Sequence, residues 1–264
     1  MPLTTGLSGA RVLVTAASQG IGFGAAQAFL GEGARVVINS SNPERLGRAV
    51  RSLEPHGEVH GVVADLKEQA ALDALVAETR RLLGGLDTLV YVTGSPTPGL
   101  FMEQDYASWE RAARIMVVSP AYLARRAAEL MLNGTTGGRM VFLASFAIRE
   151  PIANIATSNV CRIAIAGLVR TLARELGPRG IRVNGVLPGY IGTDRVEEVF
   201  ADQGRRRGLS AAAVRAELEH EIPLGRIGTP EELARSIVFL GSDLSAYVSG
   251  ALLPVDGAYL HSVG

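Results

Sequence analysis

Short, continuously apolar runs alternate with longer segments of helical period along almost the whole chain. The apolar runs lie at 11–14, 35–39, 59–63, 89–92, 139–144, 181–187 and, more weakly, 251–255. Helical spacing of apolar residues covers 20–32, 43–53, 67–83, 103–131, 157–177 and 230–241. Strands that are apolar on both faces and alternate with helices predict a parallel sheet covered on both sides. The sequence therefore predicts an α/β protein, doubly wound around a seven-stranded parallel sheet with helices on both faces.

The composition supports one large folded unit. The 264 residues are 47% hydrophobic and 20% charged, which provides enough apolar surface for an extensive core. No linker, repeat or low-complexity tract divides the chain, so residues 1–264 are expected to form a single domain. The alternation is interrupted at 190–225, where the sequence is polar and helix-prone. An insertion of this kind is expected to be a lid or a substrate loop.

Charge and cysteine content narrow the possible functions. The 26 basic and 26 acidic side chains give a formal net charge of 0, so nothing electrostatic favours nucleic acid or an anionic membrane as partner. Cys161 is the only cysteine, which excludes an internal disulfide and a cysteine metal cluster, and no metal site is expected. The amino terminus lacks a signal-peptide pattern, and no apolar run is long enough to cross a bilayer. We therefore expect a cytoplasmic protein.

A turn of small residues, 15–22, follows the first strand and contains Gly20 and Gly22. A strand, a small-residue turn and a helix that opens with glycines together present free backbone N–H groups and a positive dipole end to a phosphate. A glycine turn alone is a weak signal, and a tight turn with close helix–sheet packing is an equally good explanation of it.

This turn resembles the TGxxxGxG loop of the short-chain dehydrogenase/reductase family, with Ala16 in place of the first glycine. The resemblance extends along the chain through Asp65 after the third strand, 91–94 (YVTG for NNAG), 182–189 (RVNxxxPG), 225–232 (GRxGxPEE) and 255–257 (VDG). It implies a Rossmann-type fold and NAD(P)(H)-dependent hydride transfer between a carbonyl and an alcohol. The branch that the chain resembles most is that of the 3-oxoacyl-acyl-carrier-protein reductases, which implies a 3-oxoacyl or ketone substrate.

The resemblance also implies a set of cofactor-binding residues. They are Thr15, Ser18, Gln19, Gly20, Ile21, Gly22, Ser40, Ser41, Asp65, Leu66, Thr93, Gly94, Arg162, Pro188, Gly189, Ile191 and Thr193. Ser40 stands where relatives that prefer NAD have an acid, and Ser41 and Gln19 stand where relatives that prefer NADP often have arginine. Since nothing at these positions repels a 2′-phosphate, NADP is slightly favoured over NAD.

The catalytic positions of the family are altered in this chain. The family serine is present as Ser145, but the YxxxK motif reads Ser158-x-x-x-Arg162. A serine hydroxyl is a much poorer acid than a phenol, and arginine anchors anions or diols rather than relaying a proton. Ser145, Ser158 and Arg162 are the candidate catalytic residues. Tyr190, which follows the PG motif, is a weaker alternative source of the proton.

The family asparagine that orders a water is replaced by Met116. Pro120 lies four residues later and lacks the N–H that would bond to the Met116 carbonyl. We therefore expect a kinked helix at this place, with the Met116 carbonyl left free.

Two functions remain open from the sequence. One is an oxidoreductase with an altered proton-transfer site, and the other is a catalytically impaired nucleotide- or ligand-binding pseudoenzyme. The substrate is expected to be a small molecule or an acyl thioester. Arg205, Arg206 and Arg207 could meet the phosphate of an acyl carrier, although a solvated charged face explains them better. The resemblance implies a homotetramer or homodimer built through two long helices, and the helices at 103–131 and 157–177 are apolar enough for this.

Overall fold

Seven parallel strands form the centre of the molecule. The computed structural model describes residues 4–94, 96–134 and 137–262, so the ends of the predicted 1–264 domain lie outside the described residues. The strands are β1 (Arg11–Val14), β2 (Arg35–Ser40), β3 (Val59–Val63), β4 (Thr88–Tyr91), β5 (Gly138–Leu143), β6 (Ile181–Pro188) and β7 (Leu252–Val255). Their order in the sheet is β3-β2-β1-β4-β5-β6-β7, and every neighbouring pair is parallel. The predicted seven-stranded parallel sheet is confirmed.

Nine α-helices connect and cover these strands in the described part of the chain. They are α1 (Gly20–Gly31), α2 (Pro43–Leu53), α3 (Gln69–Leu83), α4 (Tyr106–Ala113), α5 (Ser119–Leu132), α6 (Ala156–Leu176), α7 (Asp194–Arg207), α8 (Ala211–Glu221) and α9 (Pro230–Leu240). Helices α2 and α9, for example, each begin next to a residue whose side chain caps the helix. Asn42 accepts a hydrogen bond from the Arg45 backbone N–H at the start of α2, and Thr229 and Glu232 form a reciprocal capping box at the start of α9.

The core has two layers, one on each face of the sheet. Helices α1, α2 and α9 pack on the first face, with Phe29, Leu53 and Ile237 fully buried. Helices α3, α5 and α6 pack on the second face, with Leu75, Leu123 and Val169 fully buried. Because the strands are covered on both faces, their side chains must be apolar on both, which is the pattern that the sequence displays.

The long helix expected at 103–131 is not continuous. A 3₁₀ turn at Phe101–Glu103 precedes α4, and a π-helical segment at Arg114–Val118 separates α4 from α5. The backbone N–H and the side-chain Oγ of Ser119 both donate to the Arg114 carbonyl, the latter at 2.8 Å. Pro120 follows directly, and a residue without an N–H cannot continue the regular helical ladder. A π-helical segment thus lies where the sequence predicts a kinked helix.

Residues 190–225 fold into α7 and α8. The apolar side chains of Phe200, Val214, Leu218 and Ile222 form a small core that is separate from the two sheet layers. Within residues 4–94, 96–134 and 137–262, no helix is both long and apolar enough to span a membrane. The same residues contain no group of three or more His, Cys, Asp or Glu side chains that could hold a metal ion.

Candidate active site

A cavity of about 660 Å³ lies along the carboxyl ends of the central strands. It passes the residues that follow β1, β2, β4, β5 and β6, which is where open α/β sheets bind their ligands. One set of predicted residues lines it from end to end: Ser18, Gln19, Gly20, Ile21, Gly22, Ser40, Ser41, Asp65, Leu66, Thr93, Gly94, Ser145, Ser158, Arg162, Pro188, Gly189, Ile191 and Thr193. The structure therefore brings these predicted cofactor and catalytic residues together.

Thr15 was wrongly predicted to bind the cofactor. It is fully buried and does not line the cavity. Its Oγ1 donates to the Val92 carbonyl at 2.5 Å and accepts from the Val92 backbone N–H at 2.8 Å. Both hydrogen bonds join the end of β1 to the end of β4. The threonine hydroxyl therefore stabilises the sheet and is not directed at a ligand.

The turn after β1 is built around a left-handed alanine. Ala16, at the position of the first glycine of the family loop, has φ +46°, a conformation that costs an L-residue about 1–2 kcal/mol. Asn39 at the end of β2 holds the turn, because its Oδ1 accepts from the Ala16 N–H at 3.0 Å and its Nδ2 donates to the Ala64 carbonyl at 2.8 Å. Asn39 thus joins three strand ends at the cavity.

The start of α1 is suited to a phosphate. Gly20 has φ +58°, and a Cβ at Gly22 would lie 2.6 Å from the Ala16 carbonyl oxygen, so both glycines are required. Gln19 precedes the helix, and its side chain makes no capping hydrogen bond. The N–H groups of the first turn are therefore left to a ligand, and they carry the positive end of the helix dipole.

The end of the cavity beside Ser40, Ser41 and Asp65 contains two basic side chains that were not predicted from the sequence. Arg45, in the first turn of α2, and Lys67, after β3, both line the wall beside Ser40, Ser41 and Asp65. The Lys67 Nζ lies 3.2 Å from Asp65 Oδ2. The Ser40 hydroxyl is held within the loop, since it accepts from the Ser18 hydroxyl at 3.1 Å and from the Asn42 N–H at 3.2 Å.

Ser158 and Arg162 form a hydrogen-bonded pair on α6, one helical turn apart. The Arg162 Nε donates to the Ser158 Oγ at 3.0 Å, and an Arg162 Nη donates to the Ala144 carbonyl at 3.4 Å. Ser158 is 7% exposed and Arg162 is 6% exposed. The guanidinium therefore sits where its charge is poorly screened, and it fixes α6 against the end of β5.

Ser145 combines a structural role with a place in the cavity wall. Its Oγ accepts from the Ala147 N–H at 3.1 Å, which caps a 3₁₀ turn at Phe146–Ile148. A hydroxyl that accepts this bond can still donate its own hydrogen to a ligand in the cavity.

A tyrosine holds the distorted helix near Met116. The Tyr91 Oη, at the end of β4, donates to the Ile115 carbonyl at 2.7 Å, and burial raises the pKa of this phenol. Met116 itself is buried. Tyr91 thus anchors the π-helical segment to the sheet, a role that its place in the YVTG stretch did not indicate. That the Met116 carbonyl is available remains a prediction.

Tyr190 belongs to an aromatic cluster. Its ring lies 5.3 Å from Phe146, 6.3 Å from Phe200 and 5.4 Å from Tyr259, measured between centroids. Burial raises the pKa of the Tyr190 phenol further above its ordinary value, which makes it a weaker acid. The packing interpretation of Tyr190 therefore suits the structure better than a role as proton donor.

The chain end joins this cluster to the segment after β5. Glu150 Oε1 accepts from the backbone N–H groups of His261 and Ser262, at 2.9 Å each. Tyr259, a member of the cluster, packs on Phe146, which follows Ser145. The last described residues are therefore attached both to the aromatic cluster and to the segment after β5.

A second wall of the cavity was not predicted. It is formed by Gln104, Ser108, Arg111, Ala112 and Ile115, and Thr97, Ile152 and Ile155 also line the cavity. Ser108, Arg111, Ala112 and Ile115 follow a spacing of i, i+3, i+4 and i+7, so they lie on one face of α4 and the π-helical segment, whereas Gln104 is extended and precedes α4. That spacing is present in the sequence, but which face turns to the cavity depends on tertiary packing.

Helix α7 contacts this wall through an ion pair. Arg206 lies 3.5 Å from Glu103 and also pairs with Asp202, at 3.0 Å. Arg205 pairs with Asp202 and Arg207 with Glu217, so all three arginines of the cluster have acidic partners within the protein. This supports a solvated charged face rather than a phosphate site.

The fold and the cavity define an α/β protein with a dinucleotide-binding site of the oxidoreductase type. The family model described as enoyl-(acyl carrier protein) reductase matches residues 15–259. The human dehydrogenase/reductase SDR family member 4 is 32% identical over 248 residues, which cover 93% of this chain and 85% of that protein. The chain belongs to the short-chain dehydrogenase/reductase family.

Two further comparisons agree with this assignment. The 3-oxoacyl-acyl-carrier-protein reductase of Aquifex aeolicus is 27% identical, over 95% of this chain and 97% of that protein. The crystal structure of L-sorbose reductase from Gluconobacter frateurii, complexed with NADPH and L-sorbose, superimposes with a TM-score of 0.93 at 30% identity. The match covers 99% of this chain and 100% of that chain.

Proposed function

We propose that this protein is an NADPH-dependent carbonyl reductase of the short-chain dehydrogenase/reductase family, acting on a small ketone or 3-oxoacyl substrate without a catalytic tyrosine. The observation that carries the proposal is the buried Arg162, which donates to Ser158 at 3.0 Å in the wall of the cavity that the phosphate-type turn also lines. The same site working in the opposite direction would oxidise the alcohol.

The residues of the cavity fit a nicotinamide dinucleotide. The turn 16–22 and the first N–H groups of α1 would hold the pyrophosphate, and Ser40, Ser41 and Asp65 would face the adenosine end. When bound, the dinucleotide supplies the hydride. This fit rests on the uncapped helix start and on the glycine that leaves no room for a Cβ.

The chemistry of the altered site follows from charge. As a carbonyl is reduced, negative charge grows on its oxygen, and a fixed donor or cation aimed at that position lowers the barrier. Ser145 and Ser158 can donate hydroxyl hydrogen bonds to the oxygen, while Arg162 supplies positive charge in a poorly screened position. The proton that completes the alcohol comes from water in the open cavity. Arg162 thus stabilises an alkoxide rather than relaying a proton.

The wild-type protein is expected to bind NADPH more tightly than NADH, because Arg45 and Lys67 stand near the end where a 2′-phosphate would lie. We expect Arg45→Gln to weaken NADPH binding about two- to fivefold, the range for a solvent-exposed charge pair, with little change for NADH. Titration that follows nicotinamide fluorescence measures both affinities.

Arg51→Gln is the matched control for this measurement. Arg51 is exposed on the same helix but does not line the cavity, so its removal should leave both affinities unchanged. Tighter binding of NADH than of NADPH by the wild-type protein would contradict the proposed preference.

The reductase activity itself is tested by following NADPH oxidation against a panel of ketoses, simple ketones and 3-oxoacyl thioesters. We expect turnover with at least one of them, at a kcat about 10²–10⁴-fold below that of an enzyme with a phenol acid, since this is what general acid catalysis contributes. Binding of NADPH without turnover on any of the panel would favour the pseudoenzyme instead. A failure to bind either dinucleotide would contradict the proposed reductase.

Three further statements are part of the proposal. Residues 1–264 act as one domain, in which 190–225 forms a lid over the substrate end. Val118, Val160 and Ile163 on the two long helical stretches are 60%, 58% and 54% exposed, which supports assembly into a homodimer or homotetramer. The single, buried cysteine fits a cytoplasmic protein.

A further inference from the structure

The cavity wall formed by α4 and the segment before it is a fixed surface. Gly99, in the segment before α4, donates its N–H to the Asn154 carbonyl at 2.7 Å and accepts from the Ala156 N–H at 3.3 Å. The Leu100 N–H donates to the Glu103 side chain at 2.8 Å, which closes the turn that leads into α4. The side chains that project from this segment and from α4 therefore have a defined place relative to α6.

Arg111, an exposed side chain, is the only charged residue on this wall among the described residues that line the cavity. Its Nη2 donates to the Ser108 hydroxyl at 3.0 Å, which holds the side chain along one face of the helix. It forms no ion pair within 4.0 Å with another described residue, although its charge helps to lower the pKa of the nearby Asp105. The Asp105 carboxylate caps α4 by accepting from the Ser108 N–H at 2.8 Å, and hydrogen bonds from Ser108 are the main cause of its lowered pKa.

The charges of the cavity are unevenly distributed. Its two acidic lining residues in the described part of the chain belong to other segments than this wall: Asp65 follows β3 and pairs with Lys67, and Asp194 begins α7 next to Thr193. The substrate end therefore presents two guanidinium groups, Arg111 and Arg162. Thr97, Gln104 and Ser108 add neutral hydrogen-bonding groups to the same region.

We propose that the substrate is a small hydroxylated carboxylate, with Arg111 binding the carboxylate while Arg162 and Ser158 face the reacting carbonyl. This inference rests on the proposed reductase function and specifies the substrate class for the same site. Arginine binds carboxylates through parallel N–H donors of matching geometry. The hydroxyl and amide side chains of this region can form hydrogen bonds with the hydroxyl groups of such a substrate. A long acyl chain would leave these side chains without hydrogen-bond partners.

The test compares D-gluconate with D-glucitol, which differ only by a carboxylate in place of a terminal hydroxymethyl group. Calorimetric titration with the full-length protein and saturating NADPH avoids turnover, because the dinucleotide and the polyol are both reduced. We expect D-gluconate to bind about two- to fivefold more tightly than D-glucitol, the range for a solvent-exposed charge pair. We expect Arg111→Gln to remove this preference by weakening D-gluconate binding about two- to fivefold, and to leave D-glucitol binding unchanged.

Arg114→Gln is the matched control, since Arg114 is exposed three residues later and does not line the cavity. Equal binding of the two polyols by the wild-type protein, or equal D-gluconate binding by wild-type and Arg111→Gln, would overturn the inference. NADPH titration of each variant separates the two proposals. If the wild-type protein binds NADPH but shows no preference for D-gluconate, the proposed substrate class is wrong and the reductase proposal stands. If the wild-type protein does not bind NADPH, the reductase proposal is wrong.

Discussion

Replacing Arg162 by methionine is expected to lower kcat for carbonyl reduction about 100- to 1000-fold, with a much smaller change in KM. The reason is that the guanidinium acts on charge that exists only as the reaction proceeds, so its loss affects the transition state more than the bound substrate. The side chain is 6% exposed, and its Nε is 3.0 Å from the Ser158 hydroxyl that would share the developing charge. Steady-state kinetics with the best substrate of the panel measures the effect.

Two variants make this result interpretable. Arg162→Lys keeps a positive charge but loses the planar fork that reaches both Ser158 and the Ala144 carbonyl, so an intermediate kcat is expected. Arg174→Met removes an exposed arginine from the last turn of the same helix and should leave kcat unchanged. Thermal melting identifies any loss of folding, because Ser158 and the Ala144 carbonyl lose a partner at a cost of about 1–3 kcal/mol. An unchanged kcat in folded Arg162→Met would contradict the alkoxide mechanism.

Gly22→Ala is expected to weaken NADPH binding by at least about tenfold and to lower the free energy of unfolding by about 1–3 kcal/mol. The added Cβ would lie 2.6 Å from the Ala16 carbonyl oxygen and 2.8 Å from the Ala17 Cα. Both are backbone atoms, so the whole turn must shift, and the N–H groups of α1 shift with it. Fluorescence titration with NADPH and chemical denaturation measure the two effects.

Gly31→Ala provides the contrast on the same helix. Its added Cβ would meet nothing within 4 Å, and alanine favours helix over glycine by up to about 1 kcal/mol. We expect unchanged NADPH binding and equal or slightly higher stability. If Gly22→Ala bound NADPH as well as Gly31→Ala does, the turn 16–22 would not be the pyrophosphate site.

The sequence predicted the sheet closely because two independent signals agreed. The strands are apolar on both faces, and helical segments with clear starts separate them, which leaves few arrangements other than a doubly wound parallel sheet. The elements at 11–14, 43–53 and 59–63 were predicted with the observed bounds, and most others differ by one or two residues at their ends. The turn after β1 and the Ser158–Arg162 spacing could likewise be located from their register against the family motifs.

Other features depend on contacts that periodicity does not contain. The helix expected at 103–131 is divided because Pro120 removes an N–H and Tyr91, distant in sequence, binds the Ile115 carbonyl. Thr15 occupies a motif position, yet its hydroxyl is taken up by Val92 on the neighbouring strand. Arg111 stood in a helical pattern whose cavity-facing side could not be known before α4 was placed against α6.

The bonds between Glu150 and the backbone of His261 and Ser262 have a consequence for how the molecule is made. The turn that fits a dinucleotide is formed by residues near 20, but its helix α1 packs against α9 (Pro230–Leu240). Phe146, which follows Ser145, packs against Tyr259, close in sequence to the two residues that Glu150 holds. Since chains emerge from their amino end, neither end of the cavity can complete its packing until these late segments have been made, so a nascent chain would acquire its nucleotide and substrate ends together.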